Sequence, residues 1–122
     1  MSMIARLFLL FMVSLPLSAE PVWELTAADW AQPRNGDWLV AHPALQGPLI
    51  QLQQFPQRVL QLRYPGGDEG VLWVEELQAW LVALGLEPER IETLPGSGGE
   101  RVIQLEVVAV PHQGAALTGE SV

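Results

Sequence analysis

Apolar and polar residues alternate in two stretches of the chain, and between them the period changes to that of a helix. The first stretch, Arg58-Val59-Leu60-Gln61-Leu62-Arg63-Tyr64, alternates from Leu60 to Tyr64, as a strand with one buried face would. Pro65-Gly66-Gly67-Asp68-Glu69-Gly70 follows, rich in residues that break regular structure. From Val71 to Leu84, the residues Trp73, Leu77, Trp80, Leu81 and Leu84 recur at helical spacing, which predicts one apolar helix face. Gly85 stands where a left-handed C-cap would end that helix, and Pro88 lies just beyond. Alternation returns over Arg101-Val102-Ile103-Gln104-Leu105-Glu106-Val107-Val108. Val59 to Val110 therefore reads as one strand–helix–strand unit.

Upstream, Leu45, Leu49, Leu52 and Phe55 recur at helical spacing, with Gln51, Gln53 and Gln54 off the stripe. Gly47-Pro48 interrupts this pattern, so the regular helix is expected to begin near Pro48, a residue tolerated at the first helical position. Pro56 ends it. Residues 20–38 form an N-terminal arm containing Trp23, Trp30 and Trp38, in which Thr26 can cap a short helical turn through Ala31. Ile91 and Leu94 mark a short extended piece. Pro95-Gly96-Ser97-Gly98-Gly99 reads as a hairpin-type connection into the last strand. Residues 111–122 carry few large apolar groups and are expected to be a disordered tail. The domain of residues 39–110 is thus expected to be α+β, a small two-layer sandwich with a β-α-β core and a helix before it.

The chain opens with the pattern of an export signal. Arg6 supplies the positive charge, Leu7 to Val13 are all apolar, and Leu17-Ser18-Ala19 offers a cleavage site before Glu20. This apolar-dominated segment, roughly 14 residues, is short for a membrane span of about 20. Cleavage would leave no membrane span and a periplasmic or secreted domain of 103 residues, enough for a single core. The chain has no cysteine, so its stability rests on packing and not on disulfides. Its basic residues are six Arg against 14 acidic residues. Losing Arg6 with the signal leaves five Arg against the same 14 acids, a formal charge of −9. Such a surface repels phosphate backbones and anionic headgroups, which argues against nucleic acid as a partner.

The order of helix, strand, Gly-rich turn, helix ending in Gly, Arg-Ile and closing strand resembles the OmpA-like domain family of the bacterial envelope. The resemblance covers about residues 45 to 108. It rests on Phe55-Pro56 before the strand Val59–Leu62, on Trp80-Leu81-Val82-Ala83-Leu84-Gly85-Leu86 followed by Arg90-Ile91, and on Arg101 to Val107. It implies an envelope location and peptidoglycan as a possible ligand. The family's ligand site pairs a loop Asp with a helix Arg. Here Trp73 stands where that Arg would be, and only Gly67, or Asp68 after a one-residue slip, matches the Asp.

No catalytic constellation emerges. His42 and His112 have no helix-spaced partner, whereas a zinc site needs three or four convergent ligands; no metal and no cofactor is expected. Asp68 and Glu69 near the start of a helix suit its dipole, and Glu75 and Glu76 read as solvated. Ser97 lies in a Gly-rich loop without a base. The turn from Tyr64 to Gly70 is the best binding candidate, because ligands of α/β sheets gather at the carboxyl ends of strands. Arg63, Tyr64, Asp68, Glu69 and Trp73 are its residues. Trp30 and Trp38 offer either an aromatic platform for glycan or closure of a small core. The expected function is a non-enzymatic, envelope-associated binding or accessory module acting through protein–protein contact, with peptidoglycan or glycan binding as the alternative.

Overall fold

The computed structural model describes residues 21–99 and 101–110. The expected export segment, residues 1–19, and the expected tail, residues 111–122, lie outside the described residues. The fold is α+β. Strands β1 (Val22–Thr26), β2 (Arg58–Tyr64), β3 (Ile91–Pro95) and β4 (Val102–Ala109) form one mixed sheet in the order β1-β4-β2-β3. Helices α1 (Ala27–Trp30), α2 (Gly36–Ala41), α3 (Pro43–Gln54) and α4 (Asp68–Ala83) complete it.

The β-α-β unit is real, but its second strand differs from the expected one. β2 pairs in parallel with β3, in the register Leu60↔Ile91, across α4. β4 instead runs antiparallel to β2 on its other side. Pro95 to Gly99 is therefore no hairpin, since β2 lies between the two strands it joins; Gly96 N–H donates to the Tyr64 carbonyl as the chain passes. Amphipathic length explains the order. β4 turns Ile103, Leu105 and Val107 inward, all essentially inaccessible, and suits the centre. The short β3 carries Glu92 and ends in Pro95, features suited to an edge.

The opposite edge is β1, which the sequence pattern assigns to the N-terminal arm. Only Trp23 and Leu25 face inward on it, too few to register as a periodic pattern. It pairs antiparallel with β4 from Val22↔Glu106 to Thr26↔Val102. Thr26 then caps α1, its hydroxyl accepting the Asp29 N–H at 3.1 Å. Asn35 caps α2 by accepting the Trp38 N–H at 2.8 Å.

α3 begins at Pro43, five residues before the expected start, because His42 Nδ1 accepts the Ala44 N–H and caps it there. Pro48 sits inside the helix with its ring in the core. Gly47 beside it leaves room for the Trp23 indole, which lies 2.5 Å from where a Cβ would be. Leu45 and Leu52 are buried as the stripe requires, while Phe55, past the helix end, is 42 % exposed. Arg90 finishes α3. Its guanidinium donates to the carbonyls of Leu52, Phe55 and Arg58 at 2.9–3.0 Å, joining the last turn of α3, where a helix leaves carbonyls without partners, to the start of β2.

α4 begins at Asp68 rather than Val71, and its buried line is Gly70, Val74, Leu77 and Leu81. Leu77 and Leu81 match the predicted face. Trp73 and Trp80 flank it half-buried, and Leu84 is 39 % exposed. Eleven of the sixteen positions of α4 are apolar or glycine, more than one face holds, so periodicity leaves its phase loose; close packing of Gly70 on Pro65 sets it. The helix ends as expected. Gly85 has φ 111°, its N–H donates to Val82 O, and Leu86 N–H donates to Leu81 O, the paired bonds of a Schellman cap. Leu25, Leu60, Leu62 and the inward residues of β4 pack with Leu45, Leu52, Val74, Leu77 and Leu81 into one core. No helix among the described residues is long and apolar enough to cross a membrane.

Candidate functional site

At the carboxyl ends of the parallel strands β2 and β3 the chain opens into a cleft of about 980 Å³. The Pro65–Gly70 turn, the Gly96–Gly99 loop, the first two turns of α4, and α1 with the residues after it form its walls. The turn after β2 builds this geometry locally. Gly67 takes φ 92°, a conformation that favours glycine, and this swings the chain from strand into helix. Gly67 offers no side-chain cap to α4, so Asp68 and Glu69 supply the negative charge that the helix start favours.

Of the residues predicted from sequence, Trp30, Asp68, Glu69 and Trp73 meet at this cleft. Tyr64 stands beside it but packs against the core. Arg63 does not join them. Alternation along β2 places it with Gln61 on the opposite sheet face, where it lines a separate hollow of about 730 Å³ with Gln104 and Glu106. Trp38 lies behind Trp30, edge-on to it at 6.2 Å and 68°.

The ring of Trp30 is not free for stacking. It is only 8 % exposed, and the Arg34 guanidinium lies 4.2 Å over it. Trp30 Nε1 donates to Glu76 Oε1 at 3.2 Å, and Arg34 Nη2 pairs with Glu76 Oε2 at 2.8 Å. Arg34 also donates to the Trp30 carbonyl. This group ties the segment after α1 to α4 and walls one side of the cleft. Sequence spacing carried no sign of it, because Arg34 and Glu76 stand 42 residues apart. The only available signal was that Arg34 is one of six cations in an acidic chain.

Polar atoms remain at the cleft. Trp73 Nε1 and Arg34 Nε are buried without a protein partner, and the exposed Arg101 stands at the rim. Ser97 is buried, with its hydroxyl donating to the Gly99 carbonyl at 2.7 Å, which holds the loop. His42 lies outside the cleft with both ring nitrogens engaged: Nδ1 accepts from Ala44, so Nε2 carries the proton and donates to Asp29 Oδ2 at 3.1 Å. His112 is outside the described residues. Among the described residues no group of three or more His, Asp or Glu could hold a metal ion.

The fold and cleft define a small α+β domain with a mixed four-stranded sheet and a pocket at the ends of its parallel strands. No family model matches the chain, and no curated protein matches it.

Proposed function

We propose that this chain is an exported, envelope-associated binding module that performs no chemistry of its own and acts through protein–protein contact. The observation that carries the reading is the outer side of α4. Leu72 is 66 % exposed there, and Val71 and Val82 are each 39 % exposed. Large apolar side chains left exposed on a helix whose other face already fills the core mark an interaction site. The export pattern of residues 1–19 and the resemblance to the OmpA-like family support a periplasmic location and a partner in the envelope. A photo-crosslinking amino acid at position 72, compared with one at the exposed Glu92 on β3, tests the reading in cells. A discrete protein adduct from position 72 alone is expected; no adduct there, or equal adducts at both positions, refutes it. Mass spectrometry of the exported protein, finding a terminus near Glu20 rather than Met1, tests the location.

A second reading is peptidoglycan or glycan binding at the cleft. It is favoured by the unpartnered Trp73 Nε1 and by Arg101 at the rim. Against it stands the identity of Trp73, since recognition of a charged peptide end through the family's pairing needs a guanidinium fork that an indole does not supply. Sedimentation with purified sacculi separates the two readings.

A further inference from the structure

We propose that the outer face of α4 is a seat for a cationic amphipathic helix of a partner protein, an inference that rests on the protein-contact reading above. Leu72, Glu75, Ala79 and Val82 follow one another at three- and four-residue intervals, the spacing that aligns side chains along a helix seam. They lie opposite the buried line Gly70, Val74, Leu77 and Leu81. Glu75 and the small Ala79 form the middle of this outer seam. Ala79 and Ala83 are exposed, and with Val82, Gln78 and Glu75 they shape a shallow groove of about 540 Å³. Leu72 stands out at its upper end, so the surface alternates a protrusion with a depression. That relief suits the ridge of a second helix lying nearly parallel or antiparallel to α4.

Charge selects the occupant. From Asp68 to Ala83, α4 carries Asp68, Glu69, Glu75 and Glu76 and not one Lys or Arg. Arg34 neutralises Glu76. Asp68, Glu69 and Glu75 have no ion-pair partner among the described residues, and Glu87 and Glu89 continue the acidic run beyond the helix. The seam is therefore both apolar and acidic, with the unpaired Glu75 within it and Asp68 and Glu69 at its N-terminal end. A second copy of the chain would set these carboxylates against their own copies across a two-fold axis, and an anionic membrane would be repelled. A helix with an apolar stripe flanked by Lys or Arg meets both features. Its charges speed encounter and select register, while its stripe fills the groove.

The test uses the exported protein and three synthetic 18-residue helical peptides that share one Leu/Ala stripe, flanked by Lys, by Gln or by Glu. Isothermal titration calorimetry is expected to show the Lys-flanked peptide binding at least about tenfold more tightly than the Gln-flanked one, and the Glu-flanked one weakest. Ala79→Arg should abolish binding. Glu75→Lys should narrow or reverse the preference between the Lys and Glu peptides. Both positions are exposed, and unchanged urea midpoints confirm that each variant folds. Equal binding of the Lys and Gln peptides, or binding untouched by Ala79→Arg, overturns the inference. So does concentration-dependent self-association in sedimentation that Ala79→Arg removes. If no peptide binds while position 72 still crosslinks to a protein in cells, the cationic-helix inference fails and the contact reading survives. If position 72 captures nothing and no peptide binds, both fail.

Discussion

Replacing Gly70 with alanine sets two physical effects against each other, and their signs differ. Gly70 lies in the first turn of α4. By helix propensity alone, Ala in place of Gly inside a helix is favourable by about 0.8–1.0 kcal/mol. The tertiary structure opposes this. A Cβ at position 70 would stand 1.7 Å from the Pro65 carbonyl oxygen and 2.7 Å from its carbon. The obstacle is backbone, held by a proline ring on one side and the Gly66-Gly67 turn on the other, so no side-chain rotation relieves it. Overpacking typically costs 1–3 kcal/mol, and this overlap belongs at or above about 3 kcal/mol. The net expectation is a loss of about 2 kcal/mol or more once the propensity gain is subtracted. With a urea slope of about 1–3 kcal/mol/M, the unfolding midpoint should fall by roughly 1 M. The assay is a urea titration followed by tryptophan fluorescence and by far-ultraviolet circular dichroism. Gly66→Ala is the matched control, because nothing lies within 4 Å of its Cβ. A midpoint for Gly70→Ala equal to or above wild type would refute the packing argument and return the turn to ordinary helix propensity.

Three further expectations address the core, the helix end and the cleft. Leu81→Ala, at a fully buried position, should cost about 2–5 kcal/mol, while Glu75→Ala stays within about 0.5 kcal/mol; equal urea midpoints for the two would mean that α4 presents a different face to the core. Arg90→Met should lose about 2 kcal/mol or more as the carbonyls of Leu52, Phe55 and Arg58 lose a charged donor. Arg90→Lys should restore little of this, since an ammonium cannot span three acceptors as the planar fork does, and full recovery by Lys in thermal unfolding would contradict it. The chain should not sediment with purified sacculi at moderate salt; strong binding that Arg101→Ala removes would instead make the cleft a glycan or peptide site.

Much of the fold was legible locally. The strands β2 and β4 announced themselves because each turns two or three large aliphatic residues to one face, and the period of 2 survives any tertiary context. The end of α4 was legible because Gly85 can take a positive φ at no steric cost. Thr26 marked the start of α1 for a similar reason, since a hydroxyl can satisfy an orphan N–H three residues on. In each case the physical cause lies within a few residues of the sequence that reveals it.

What stayed hidden depends on partners distant in the chain. Five residues are too few to mark β1 as a strand, and its pairing with β4 joins residues about 80 apart in sequence. The start of α3 was masked because Pro48 looks like a helix beginning, whereas a histidine six residues earlier supplies the cap. The rotation of α4 was legible only in part, at Leu77 and Leu81, because its apolar residues exceed what one face holds; contact between Gly70 and Pro65 decides it. The cleft follows the same rule. Sequence placed Asp68, Glu69 and Trp73 at the mouth of a strand–helix turn, because that is local. Only tertiary packing brought Trp30 and Arg34 onto Glu76, since hydrophobic patterning specifies which faces are buried but not which distant face they are buried against.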